Sequence, residues 1–279
     1  MMIPVASLIA ALFGLSIGSL LNVCIDRIPA GESIVRPPSH CSSCNKRLST
    51  KDLIPVFSYL LLRGRCRHCG VKIPIRILVV ELTTAFLFGL ITWHFLSHDR
   101  TSDALIIIPI IYTCIFIVIF FIDLEKQIII IPIIFTGAAL SLIFSLFWDG
   151  FGTYWPQSSI SNTYLDGMAS ALLGGTAGTI FMMIPYFIAR AYYKSEGIGQ
   201  GDIYLATLIG LATGFPLVLV SLMIGIIIGG ITAISLVASR RKKKREMIPF
   251  GPFLVIGAII TLMWGPQILS LYSGLFPAS

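Results

Sequence analysis

Two aspartates beside apolar runs are the residues of this sequence best suited to chemistry. Asp202 follows the Gly-x-Gly-x-Gly stretch 197–201 and opens directly into the apolar run 203–212. Asp123 follows a second apolar run, 104–122. A carboxylate in a membrane segment is costly and needs a reason. Helix capping explains a single Asp at a helix start, and a solvated loop explains a single Asp after a span. The pair together with the glycines is the stronger signal.

The composition places both carboxylates in a membrane protein. Of the 279 residues, 56% are hydrophobic and 12% are charged, which indicates a chain that crosses the bilayer several times. Runs of about 20 apolar residues predict transmembrane helices. We therefore predict an all-α polytopic fold with about eight spans, of which the sixth is short. The predicted spans are 3–25, 77–96, 104–122, 128–147, 168–189, 203–212, 217–237 and 250–271.

Positive charge predicts the orientation of these spans. The segment 26–76 contains ten basic and three acidic residues, so it carries a charge equal to the +7 of the whole chain. By the positive-inside rule this segment is cytoplasmic and both termini are outside. The charge does not predict nucleic-acid binding, because no aromatic residues alternate with it. The basic run 240–245 predicts a topology anchor or a contact with lipid headgroups of the membrane. The predicted external loops are 97–103, 148–167 and 214–216.

This orientation brings the two aspartates to one membrane face. Asp123 ends a span that runs inward and Asp202 begins a span that runs outward, so both lie near the cytoplasmic surface. A two-aspartate hydrolase needs this arrangement, with one carboxylate activating water and the other polarising the carbonyl. Helix polarity favours Asp202 as the base and Asp123 as the acid, although a coupled pair also permits the reverse. Glu81, Glu125 and Glu196 are weaker candidates.

Four cysteines in the segment 26–76 predict a structural zinc site. Cys41 and Cys44 form one Cys-x-x-Cys pair, and Cys66 and Cys69 form the other. Four thiolates at this spacing suit tetrahedral zinc, and a reducing cytoplasm disfavours disulfides. A redox dithiol pair is the alternative. The predicted domains are a first span (1–25), a zinc-binding domain (26–76) and a transmembrane catalytic domain (77–279).

An ordered set of short motifs resembles the type IV prepilin peptidases, membrane aspartyl proteases of the Gly-x-Gly-Asp class. The set spans most of the chain and includes both cysteine pairs, Glu81, Asp123 and Asp202. The other motifs are Gly18-Ser19-Leu20-Leu21-Asn22-Val23, Arg27-Ile28-Pro29, Glu32-Ser33, Arg36-Pro37, Leu53-Ile54-Pro55, Arg63-Gly64-Arg65, Ile122-Asp123-Leu124, the stretch 196–202 and Ile248-Pro249-Phe250-Gly251-Pro252-Phe253.

The resemblance implies an enzyme of the bacterial inner membrane that removes the leader of prepilins or pseudopilins at the cytoplasmic face. It implies Asp123 and Asp202 as the catalytic pair. It also implies methylation of the new terminal amine with S-adenosylmethionine as the methyl donor, without indicating which residues bind that donor. The sequence departs from the family pattern at Tyr204, where a Lys is usual, and at Ile130, where a Pro is usual.

Two other classes of protein share some of these features. An ion-coupled transporter could use intramembrane carboxylates and a glycine-broken helix, but such proteins commonly show related halves. A non-enzymatic, zinc-bearing assembly factor would keep the cysteines and the spans, and would tolerate loss of Asp123 and Asp202. Neither class explains two aspartates at the same predicted depth.

Overall fold

The computed structural model describes residues 2–97, 106–146, 163–193, 199–239 and 249–275. Most of the first two predicted external loops, Glu196 and the basic run 240–245 lie outside these residues. In the described part the protein is helical and has no strand, apart from two isolated bridges. The predicted all-α fold is confirmed.

Nine α-helices are present in the described residues. The described residues also contain two short 3-10 helices, Ile28–Ala30 and Thr50–Leu53. In chain order the α-helices are α1 (Met2–Arg27), α2 (Phe57–Leu61), α3 (Ile75–Ser97), α4 (Ile107–Lys126), α5 (Ile131–Phe144), α6 (Thr163–Tyr193), α7 (Gln200–Thr213), α8 (Leu217–Ala238) and α9 (Gly251–Leu275).

Eight of these helices correspond to the eight predicted spans. Six of them, α1, α3, α4, α6, α8 and α9, are long and apolar enough to cross a membrane. The other two, α5 and α7, have 14 residues each. At 1.5 Å per residue each of these is about 21 Å long, which is shorter than a hydrocarbon core of about 30 Å.

Two helix boundaries near Asp123 differ from the prediction. Helix α4 continues to Lys126, so Asp123 lies in its last turns and not beyond its end. Helix α5 begins at Ile131, three residues later than predicted, because Gln127 has a φ of 54° and Ile130 is extended. Pro132 lies in the first turn of α5, where its missing N–H costs no helical hydrogen bond.

The chain divides into two compact units, Met1–Val118 and Ile119–Ser279, with the division inside α4. In the first unit α1 packs against α3. A Cβ at Gly18 would lie 2.7 Å from Glu81 Cα, so only glycine permits this approach. Arg76 Nη2 lies 2.7 Å from Asp26 Oδ1, and this ion pair joins the end of α1 to the start of α3.

In the second unit α7 is the central helix. It contacts α5, α6, α8 and α9, and the side chains of Leu205, Leu208 and Ile209 are fully buried. Backbone atoms of Gly174 in α6 and Gly210 in α7 would clash with any Cβ placed at the opposite glycine. Because α7 is surrounded by other helices, its N-terminal turn is held within the unit together with Asp202.

Candidate active site and cysteine cluster

Asp202 lies in the first turn of α7 and is 8% exposed. Its Oδ2 accepts a hydrogen bond from the backbone N–H of Gly199, the N-cap residue, at 3.2 Å. A Cβ at Gly201 would lie 2.9 Å from Ile129 Cβ, so glycine lets this turn pack against the segment before α5. The helix N-terminus and the capping bond both favour the ionised carboxylate at this position.

Asp123 lies in the last turns of α4 and is 5% exposed. Its Oδ2 is buried and has no hydrogen-bond partner among the described residues. The backbone amide of Gly251, the first residue of α9, lies beside this carboxyl group. A Cβ at position 251 would lie only 2.5 Å from Asp123 Oδ2. Asp123 Oδ2 is therefore available to bind a substrate or a water molecule. The space beside it exists because residue 251 is a glycine.

The structure brings the two aspartates together in the second unit. Asp123 is close enough to Asp202 for the two carboxylates to interact electrostatically. Leu205, one turn after Asp202, lies 3.4 Å from a Cβ placed at Gly251, the glycine that contacts Asp123. The last turns of α4 and the first turns of α7 and α9 thus lie close together around Asp123. Two buried carboxyl groups that interact electrostatically can hold one proton between them and act as an acid and a base.

Gly251 is a site residue to which the sequence reasoning gave no role. The sequence feature that could have identified Gly251 is the Pro249-Phe250-Gly251 motif at the start of the last span, which is part of the family resemblance. From the sequence, helix polarity at the two aspartates came only from the helices that contain them. The structure adds the N-terminus of α9 beside Asp123, so each aspartate lies next to a helix N-terminus.

Cys41, Cys44, Cys66 and Cys69 form a cluster in the first unit. Their Sγ atoms all lie within 4.8 Å of one another, and Cys41 Sγ lies 3.8 Å from Cys69 Sγ. Four sulfurs bound tetrahedrally at about 2.3 Å from a zinc ion are about 3.8 Å apart. The geometry of the cluster is therefore suited to a metal ion.

The first cysteine pair lies on a tight turn. The N–H of Cys41 bonds to the carbonyl of Lys46 at 3.0 Å, and the N–H of Asn45 bonds back to the carbonyl of Cys41 at 2.9 Å. Asn45 has a φ of 53°, which closes the turn. Backbone N–H groups of Cys44 and Ser43 lower the pKa of the Cys41 thiol to about 6, which favours the metal-binding thiolate.

The second pair repeats this arrangement. The N–H of Cys66 bonds to the carbonyl of Val71 at 2.8 Å, and the N–H of Gly70 bonds to the carbonyl of Cys66 at 3.0 Å. Gly70 takes the left-handed conformation, with a φ of 71°. Backbone N–H groups of Cys69 and His68 lower the pKa of the Cys66 thiol. Two equivalent turns thus present two cysteines each to one point.

Comparison with known families agrees with this arrangement. Residues 12–95 match the Bacterial Peptidase A24 N-terminal domain, and residues 110–234 match the type IV leader peptidase family. The chain belongs to the type IV leader peptidase family. Within this leader peptidase, the N-terminal match contains the cysteine cluster and the second match contains both aspartates.

Curated relatives cover nearly the whole chain, and each is called prepilin leader peptidase/N-methyltransferase. The relative from Pseudomonas putida is 27% identical over 93% of this chain and 91% of its own length. The relative from Bacillus subtilis is 28% identical, with 94% and 95% covered. The relative from Dichelobacter nodosus is 29% identical, with 99% and 97% covered. No solved structure matches this leader peptidase.

Proposed function

We propose that this leader peptidase is a membrane aspartyl endopeptidase that removes the leader from prepilins or pseudopilins and N-methylates the new terminus. The observation that carries the peptidase activity is the meeting of Asp123 and Asp202 at the ends of three helices. The family match and the names of the relatives support the substrate class. The methyltransferase activity rests on those names alone, and no methyl-donor site is assigned.

Asp202 is the general base and Asp123 the general acid in this proposal. Asp202 Oδ2 already accepts the Gly199 N–H, so it is suited to the ionised state. The Gly251 amide lies beside the Asp123 carboxyl group, but Asp123 Oδ2 is buried and has no donor among the described residues. A negative charge on a buried oxygen without a donor is costly, which favours the protonated form of Asp123. The pair then carries one shared proton.

The hydrolysis follows from these charge states. Asp202 takes a proton from water while the water oxygen attacks the carbonyl carbon of the scissile peptide. Asp123 donates its proton to the carbonyl oxygen, which becomes part of a tetrahedral intermediate. As the C–N bond breaks, the proton held by Asp202 passes to the leaving amine, which is the new N-terminus of the pilin. Asp123 recovers its proton from the collapsing intermediate.

The cysteine cluster holds a structural zinc ion in this proposal. All four positions of a tetrahedral ion are taken by Cys41, Cys44, Cys66 and Cys69, so no position remains for a reacting water. Such an ion holds its loop in place and takes no part in hydrolysis. The zinc-binding segment 26–76 then lies between the first span (1–25) and the catalytic part (77–279).

The protein is a multi-pass membrane protein by the length and apolar composition of its helices. We place it in the bacterial inner membrane with both termini outside. The cysteine segment and the aspartates then face the cytoplasm, where a prepilin leader is accessible before export. The positive charge of the segment 26–76 supports this orientation.

Cleavage of a prepilin by the purified full-length protein tests the proposal. The assay includes S-adenosylmethionine and compares the wild type with Asp123→Ala, Asp202→Ala and Glu125→Gln. Glu125 is an exposed carboxylate two residues from Asp123, so its variant is the matched control. We expect the control to cleave and both Asp variants, while folded, to lose cleavage. Methyl transfer to the product tests the second activity. Full cleavage by either Asp variant would favour a transporter or an assembly factor.

A further inference from the structure

Glu81 is a buried carboxylate outside the candidate active site, and it binds the cysteine segment. It is 4% exposed, and its Oε2 accepts the backbone N–H of Val56 at 2.7 Å. Glu81 lies five residues into α3 from Arg76, which is about 7.5 Å along the helix axis. Arg76 pairs with Asp26 at the end of the α1 and α3 pair. Val56 therefore lies alongside α3 and not beyond its end.

The backbone at Val56 is strained. Val56 has φ 61° and ψ −52°, and the N–H of Phe57 bonds to the carbonyl of Pro55 at 2.6 Å. This is a γ-turn with positive φ, which is rare and is particularly unfavourable for a β-branched residue. Strain of this kind persists only where surrounding contacts hold it. The hydrogen bond that Val56 N–H donates to Glu81 is such a contact.

The residues on either side of Val56 expose apolar side chains. We call residues 53–62 the apolar strap. Leu61 is 82% exposed, and Phe57 and Leu60 are each 61% exposed. Leu53 and Ile54 are also exposed. An apolar surface beside a membrane helix, below the level of its terminal ion pair, faces hydrocarbon and not water.

Basic residues follow the strap directly. Arg63 and Arg65 are exposed, and Arg67 binds Asp52 at 2.8 Å. Exposed apolar residues next to exposed cations are the pattern of segments that lie in a membrane interface. Arginines at that level attract anionic phosphate groups of lipids.

We propose that the apolar strap inserts into the lipid interface of the leaflet at the Glu81 end of α3. Acyl chains contact Phe57, Leu60 and Leu61, and anionic headgroups bind Arg63 and Arg65. Glu81 is the positioning residue that holds the strap at this depth through Val56. The insertion depends on α3 being a span and not on the peptidase activity.

Photo-crosslinking to lipid tests the insertion. The full-length protein is placed in nanodiscs of phosphatidylcholine and phosphatidylglycerol with p-benzoylphenylalanine at position 57 or 61. The control carries the same group at Lys46, an exposed residue of the first cysteine turn. We expect lipid adducts by mass spectrometry at 57 and 61, and far fewer at 46. Equal yields at all three positions would overturn the insertion. So would adducts at 57 and 61 that consist of protein segments or of a second copy.

Two pairs of variants test the roles of the charged residues. Replacing Arg63 and Arg65 with Gln should lower the ratio of anionic to neutral adducts at position 61 by about fivefold per arginine. An unchanged ratio would remove the headgroup contact. Glu81→Leu should lower the adduct yield at 61, whereas Glu81→Gln, which keeps an acceptor for Val56, should preserve it. Equal yields in these two variants would remove the positioning role. If Glu81→Leu does not fold, the crosslinks at positions 57 and 61 in the protein that keeps Glu81 still test the insertion of the strap.

Discussion

Two buried carboxyl groups, one in each unit, differ in what surrounds their oxygens. Glu81 in the first unit accepts a hydrogen bond from Val56 N–H, and the Ser19 side chain lies beside its carboxyl group. Asp123 in the second unit has a buried Oδ2 with no hydrogen-bond partner in the part of the chain that the structure describes. A satisfied buried group stabilises a fold, whereas an unsatisfied one costs stability and remains available to a substrate.

The same contrast holds for the two candidate sites as a whole. The four sulfurs of the cysteine cluster lie close together, and backbone N–H groups support the thiolates of Cys41 and Cys66. The aspartate pair lies where three helices end, with a glycine leaving space at Asp123. In the first unit the surrounding structure thus fixes the four cysteine side chains. In the second unit it leaves the carboxyl group of Asp123 available to react.

Metal removal should give the largest effect, and it should be confined to the first unit. Structural zinc sites contribute on the order of 10 kcal/mol to the folding of the segment that binds the ion. We expect one zinc per chain by elemental analysis, and none in a variant with Cys44→Ser and Cys69→Ser. In hydrogen exchange, the segment 41–72 of this variant should lose protection while α7 and α9 keep theirs. Loss of protection in α7 as well would mean that the two units are not independently stabilised.

Asp123→Asn should separate activity from stability. The substitution removes the proposed acid, and general acid catalysis contributes about 10²- to 10⁴-fold, so cleavage should fall by about that factor. The melting temperature in detergent should stay close to that of the wild type, because the protonated carboxyl group of Asp123 and the amide of Asn are both neutral and nearly the same size. Glu125→Gln is the matched control for both measurements. A lower melting temperature for Asp123→Asn would show that Asp123 is a structural residue like Glu81.

The sequence predicted the helices and the proximity of Asp123 to Asp202 for local reasons. Hydropathy determines where spans lie, and the distribution of Lys and Arg determines their direction, so two residues at span ends can be assigned to one face. The tight turns at Asn45 and Gly70 were also signalled locally, by residues that tolerate positive φ after each cysteine pair.

Contacts between distant parts of the chain had no such signal. Gly251 meets Asp123 only because α9 packs in the second unit, and Val56 meets Glu81 only because the cysteine segment folds back on α3. Neither pairing follows from hydropathy or spacing. The boundary of α5 was misplaced because apolar residues continue through 128–130, where the positive φ of Gln127 and the extended Ile130 end the helical path.

Gly251→Ala should affect Asp123 by steric contact alone, without a change of charge, and so tests whether Asp123 needs the space beside it. The new Cβ would lie 2.5 Å from Asp123 Oδ2, so the carboxyl group or α9 must move. A displacement of this size at a catalytic group should lower the cleavage rate by about 10²-fold. Gly230→Ala in α8 is the control, because no atom of the described residues lies within 4 Å of a Cβ at that glycine. Equal rates for the two variants would show that the position of Asp123 is not restricted by α9.

Glu81→Gln should give the smallest effect, and it should be an effect on stability. Glutamine keeps one acceptor oxygen for Val56 N–H but replaces the other with a donor, so the Ser19 side chain beside it must rearrange. We expect a loss of about 1 kcal/mol, seen as a lower melting temperature in detergent. Prepilin cleavage should remain within about twofold of the wild type, because 1 kcal/mol leaves a folded protein almost fully folded. If Glu81→Gln abolished cleavage at an unchanged melting temperature, Glu81 would take part in the reaction. The contrast between a structural carboxyl group in the first unit and a reactive one in the second would then fail.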